Sequence, residues 1–204
     1  FISPDRGSSA TISFTWRERV TMQQKAKENA DYLDHDYASA DDRSFIPRYE
    51  AECQCGAVAY EVRTDPVDAK FCHCGDCQTL HGAPLQWAAI FHKQDVRFTA
   101  GVDRLRFFSS RHNRYERSLP CKVSCSLCGT PIADEGRNMW LAFPTLFDFG
   151  NPPVVPEAFQ PSCHIFYGMR VFDVIDGLPK WSGHKDRSSL LPERRGQDAV
   201  VRRS

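Results

Sequence analysis

The chain has 204 residues, 41% hydrophobic and 25% charged, with 26 Lys plus Arg balanced by 26 Asp plus Glu. Neutrality removes the simplest case for a general nucleic-acid binder, which shows a cationic excess, and no run approaches the roughly 18 apolar residues of a membrane span. The length suits one domain with a real core, with tails.

In chain order, the start Phe1-Ile2-Ser3-Pro4-Asp5 lacks a Met and a signal-peptide core, so a trimmed or partial start is expected. Residues 1–45 are polar and weakly amphipathic from Trp16 to Leu33, with an acidic patch at Asp31, Asp34, Asp36, Asp41 and Asp42. They predict a single packed helix or a mobile arm. Residues 57–63 alternate towards a strand that Thr64-Asp65-Pro66 ends. Short strands are further predicted at 86–92, 96–99, 104–109, 122–124, 139–143 and 165–174, all rich in aromatic and β-branched residues. From Lys185 the tail holds six basic and three acidic side chains and reads as solvated. The prediction is an N-terminal extension (1–47), a mainly β domain (48–185) and a tail (186–204).

The cysteines carry the chemistry. Of nine, seven fall into tight groups: Cys53-Gln54-Cys55, Cys72-His73-Cys74-Gly75-Asp76-Cys77 and Cys125-Ser126-Leu127-Cys128-Gly129. Disulfides between residues so close are strained, whereas a tight turn aims two thiolates at one metal ion. Zinc is the expected ion and an iron–sulfur cluster the lesser alternative. Seven thiolates divide as four plus three. Four close a structural site, and three leave the open position of a catalytic one. Pairing Cys53 and Cys55 with Cys125 and Cys128 clips distant segments and leaves Cys72, Cys74 and Cys77 as the open site; the rival is one site plus unrelated thiols.

These motifs, with Pro161-Ser162-Cys163-His164-Ile165-Phe166 and Asp176-Gly177-Leu178-Pro179 downstream, resemble the glutathione-dependent formaldehyde-activating enzyme family, which includes proteins similar to centromere protein V. The resemblance covers about residues 48–185. It implies an Mss4-like β-tent of antiparallel sheets stapled by two zinc ions per chain. Cys53, Cys55, Cys125 and Cys128 then look like structural ligands, and Cys72, Cys74 and Cys77 like ligands of the catalytic zinc. The implied activity is that of a carbon–sulfur lyase forming or cleaving a thiol adduct such as S-hydroxymethylglutathione. Two departures from the family pattern stand out: a long basic stretch over 104–117, and Ser124 where an aromatic often precedes the CxxC.

Other residues have plainer expectations. Arg111, Arg114 and Arg117 read as a solvated hairpin, with a grip on substrate carboxylates as the alternative. His73 is expected to turn its ring outward, His164 to be a satisfied structural histidine, and Cys121 to be a small strand residue. Cys163 and His164 make a poor dyad, because neighbours in a strand point to opposite faces. The alternatives to the lyase are a non-catalytic zinc-stabilised binding module, capped by Cys121 or His73 as a fourth ligand, and the same pocket acting on a larger metabolite. The expected partner is a small thiol such as glutathione, with no membrane; nucleic acid is disfavoured and a homodimer is left open. Free thiolates favour the cytoplasm, with the nucleus second.

Overall fold

The structure, a computed structural model, describes residues 36–192. The helix predicted within 16–33 and most of the tail lie outside the described residues. The strands are β1 (Tyr49–Glu52), β2 (Ala59–Val62), β3 (Asp68–Cys72), β4 (Gln86–His92), β5 (Val96–Ala100), β6 (Leu105–Phe108), β7 (Cys121–Cys125), β8 (Pro131–Glu135), β9 (Met139–Ala142) and β10 (His164–Ile165). An α-helix, α1 (Gly75–His81), follows β3, and short 3-10 turns occupy several of the connections. The mainly β prediction holds. A small sheet, β1-β2-β5, faces a large one ordered β10-β3-β4-β9-β8-β7-β6.

All strand pairs are antiparallel except β10, which runs parallel to β3. A mostly antiparallel domain accommodates this one parallel pair. A long irregular connection after β9 lets the chain re-enter the sheet in the same direction, which a tight hairpin cannot do. Of the run predicted over 165–174 only Ile165 is in a strand, at the end of β10. Phe166 takes a left-handed conformation (φ 53°), and Val171, Phe172 and Ile175 stay exposed, so they have no sheet face to bury.

Aromatic side chains weld the sheets. Tyr60 from β2 and Phe98 from β5 meet Trp140 from β9 edge-on, with ring centroids 5.8 and 5.5 Å apart. Phe147 and Phe159 close the layer beside Phe91. Such offset contacts add about 0.5–1.5 kcal/mol each to the burial of the rings. Tyr37 also joins this core, packing on Phe98 and Trp140 and donating a hydrogen bond to Glu135 at 3.0 Å. The fully buried Glu135 carboxylate pairs with Lys93 at 2.7 Å and Arg117 at 3.0 Å. Segment 36–37 is therefore part of the packed unit, and Arg117 is anchored by that buried carboxylate. Among the described residues no helix is long and apolar enough to cross a membrane.

Candidate metal centres

Two cysteine pairs from distant segments, one after β1 and one at the end of β7, come together. The sulfurs of Cys53, Cys55, Cys125 and Cys128 all lie within 4.8 Å of one another. Cys53 and Cys55 are 3.5 Å apart, and Cys55 and Cys125 3.9 Å. A tetrahedral zinc with Zn–S bonds of about 2.3 Å would place its sulfurs about 3.8 Å apart, so the donor set fits a closed site. The two arms share one local design. Gly56 N–H bonds the Cys53 carbonyl and Gly129 N–H the Cys125 carbonyl, at 2.8 and 3.0 Å. Both glycines are left-handed, at φ 71° and 76°, a conformation a Cβ would strain.

Cys72, Cys74 and Cys77 form the second group, again with all sulfurs within 4.8 Å. Cys72 ends β3, Cys74 caps α1 with its sulfur accepting from Cys77 N–H, and Cys77 lies in the first turn of the helix. Among the described residues no fourth Cys, His, Asp or Glu joins them. Without a cation the three thiols cannot share their charge. Hydrogen bonds from Cys72 and Cys77 lower the Cys74 thiol, and the bond to Cys74 in turn raises Cys72. A dication would relieve that conflict, so this donor set also fits a metal, with one position left over.

Lys122, which the sequence reading passed over, reaches this group from β7. Its ammonium lies 3.3 Å from the Cys77 sulfur, 2.6 Å from Asp134 and 3.1 Å from Gln86. Burial opposes its charge, but Asp134 and Cys77 outweigh it and raise its pKa. Register made this legible only in three dimensions, since Lys122 pairs directly with Asp134 across β7 and β8.

Behind the triplet, His73 corrects its expectation. The ring is buried, not outward, and its Nε2 lies 2.8 Å from His164 Nδ1. His164 Nε2 meets Asp176 at 2.7 Å, and Asp176 also accepts from Lys180 at 2.9 Å. The carboxylate must accept, so His164 Nε2 carries hydrogen and its Nδ1 accepts from His73. The odd residue between two thiols faces the protein because β10 supplies a buried partner there. Partial burial raises the Asp176 carboxyl, but hydrogen bonds from Lys180 and His164 overcome this and leave it below its ordinary 3.8. A lowered carboxyl stabilises the fold above its unfolded pKa and loses that contribution as pH falls through the folded one. Asp176→Asn should therefore cost about 1–3 kcal/mol near neutrality, shrinking below about pH 4. Denaturant unfolding of both proteins across pH checks this, and a deficit constant down to pH 3 would contradict it.

Cys121 stays a buried strand residue with its sulfur 3.7 Å from Glu135. Cys163 is buried too and has no contact with the His164 ring among those described. Arg111 and Arg114 are exposed, with Arg114 paired with Glu116. A cavity of about 620 Å³ opens beside Cys53, between Glu50, Glu52 and Asp148. It lies on the side of the four-cysteine group. A smaller one of about 190 Å³ shares Lys122 and His81 with the triplet's surroundings.

No curated protein matches the chain significantly. A crystal structure of a Rhodobacter sphaeroides protein is 21% identical, covering 50% of this chain and 91% of that one, with a TM-score of 0.40. A family model matches residues 48–169, the stretch that holds both cysteine groups. The chain therefore belongs to the glutathione-dependent formaldehyde-activating enzyme family.

Proposed function

We propose that the protein is a zinc-dependent enzyme that forms or cleaves the carbon–sulfur bond of a thiol adduct, with glutathione as the thiol. The observation that carries this reading is a triplet of thiols with no fourth protein donor among the described residues in a family named for glutathione-linked formaldehyde activation. In this reading Cys53, Cys55, Cys125 and Cys128 hold a structural zinc, and Cys72, Cys74 and Cys77 hold the catalytic one. A zinc ion in the triplet would supply a site where an incoming thiol loses its proton readily. The forward reaction adds the thiol across a carbonyl: sulfur bonds carbon, the thiol proton leaves, and the carbonyl oxygen gains a proton.

The chain's own groups prepare this site. Cys74 and Cys77 are set by the first turn of α1, and Gln78 pins that turn by donating to the carbonyls of His73 and Met169 at 2.7 and 2.9 Å. Lys122 offsets part of the charge on Cys77, so three thiolates need not leave the centre a full unit negative. The binding-module alternative would gain from a fourth ligand such as Cys121 or His73, and both are engaged elsewhere.

Lys122→Met should weaken metal retention by the triplet about 10- to 100-fold, measured by competition with a chromophoric chelator, while Lys122→Arg restores most of it. Equal retention in all three proteins would remove Lys122 from the account. The reaction itself is tested by magnetisation-exchange NMR on glutathione and aldehydes. Interconversion of free and adduct species should accelerate with the zinc-loaded protein, and an unchanged exchange rate overturns the reading.

A further inference from the structure

The smaller cavity lies on the outer face of the large sheet. Arg106 and Phe108 of β6 stand opposite Ser124 and Lys122 of β7, so all four side chains share that face. Helix α1 covers one side of it with His81, which sits one turn beyond Cys77 on the same helix face. Phe143 meets His81 edge-on at 4.8 Å. The opposite wall is Tyr115, from the long basic stretch, which packs on Phe108 at 5.6 Å and under the Arg106 guanidinium at 5.1 Å. Lys122 ties this cavity to the metal centre through its 3.3 Å contact with Cys77.

The lining suits a particular chemistry. Formaldehyde needs little more room than a water's share of about 30 Å³, and it has nothing to lay against aromatic rings. Here there are about 190 Å³ between three aromatic side chains and an imidazole. Arg106 is the second clue. Its Nε bonds Ser124 at 3.3 Å, yet among the described residues it has no carboxylate partner. Lys122, by contrast, is already held by Asp134. A planar guanidinium over a ring, with its outer nitrogens uncommitted, is a carboxylate receptor.

Resting on the carbon–sulfur reading, we infer that the cavity lined by Arg106, Phe108, Tyr115, His81 and Phe143 receives the electrophilic half of the adduct, an aldehyde with an apolar body and a carboxylate that Arg106 binds. Glutathione also carries carboxylates, and the two sources separate when the aldehyde alone is varied. The bonds formed are those of any thiol addition: sulfur to the carbonyl carbon, and a proton to the oxygen.

Two measurements test it on the zinc-loaded protein. The first is titration calorimetry with 4-(hydroxymethyl)benzoate, an unreactive stand-in for the aldehyde portion of the adduct. It should bind about tenfold more tightly than benzyl alcohol. Arg106→Met should erase that difference, and Tyr115→Ala, an exposed position that leaves the core untouched, should weaken both ligands. The second compares glutathione exchange with 4-carboxybenzaldehyde and with formaldehyde, where the larger aldehyde should be preferred about tenfold or more in kcat/KM. Formaldehyde turnover with no binding of 4-(hydroxymethyl)benzoate overturns the inference and leaves the carbon–sulfur reading standing. Arg106-dependent binding without turnover of any aldehyde keeps the site and overturns the reaction.

Discussion

Replacing Cys125 with Ser should lower the unfolding free energy by about 5 kcal/mol or more, enough to consume much of a typical domain's stability. Cys125 ends β7 and is fully buried, and its proposed partner Cys53 is nearly so. The four-cysteine group joins the turn after β1 to the turn after β7, across 70 residues of chain. Losing one ligand would release the structural metal and also strand polarised thiols in the core. Two effects then add: the long loop reopens, and buried sulfur loses its cation. Cys121→Ser provides the comparison, since Cys121 is buried in the same strand but outside the group. It should cost only about 1–3 kcal/mol. Thermal unfolding of both variants, with and without a chelator, reads the difference. A Cys125→Ser protein as stable as Cys121→Ser would remove the structural role.

The second large effect is on activity with the fold preserved. Cys74→Ser should lower catalysed adduct exchange by about a thousandfold or more, while the melting temperature moves by about 5 °C or less. Cys74 is partly exposed and lies outside the core cluster, so serine fits its space, and a serine oxygen still caps helix α1. What serine cannot replace is the third thiolate donor of the Cys72, Cys74 and Cys77 group. A folded Cys74→Ser protein with undiminished exchange would sink the catalytic assignment. A variant that unfolds would mean instead that the triplet is structural.

Much of the architecture was legible because the signals were strong and local. The 86–92 strand is an apolar, aromatic-containing run, mostly buried, and appears at those limits. The strands predicted at 96–99, 104–109, 122–124 and 139–143 all appear within two residues of their ends. Strand β1, reading Tyr49-Glu50-Ala51-Glu52, was missed because its outward positions are charged and only Ala51 is fully buried. Strand β3 was hidden by Asp68 and Lys70, which pair with each other on its outer side at 3.2 Å. The 165–174 run misled in the opposite way, since it is apolar but has no sheet to cover.

The metal centres divide along similar lines. Short spacing made each cysteine pair visible, and the four-plus-three division follows from counting donors. The surroundings were not visible, because they are assembled by register and by long-range pairing. His73 turned inward only because His164, 91 residues on, offers it a buried nitrogen. Lys122 reached Cys77 across 45 residues by lying beside Asp134 in the sheet. The mainly β, Mss4-like fold expected of the family supplies those neighbours, and one-dimensional spacing does not encode them.

The central claim is that the seven thiols form two separate metal centres, and zinc content tests it most directly. Elemental analysis of the wild-type chain should give two zinc ions, and Cys72→Ser should retain one with the domain still folded. One zinc in the wild type, unchanged by Cys72→Ser, would contradict the account: the triplet would hold no metal, and the carbon–sulfur chemistry assigned to it would have no centre.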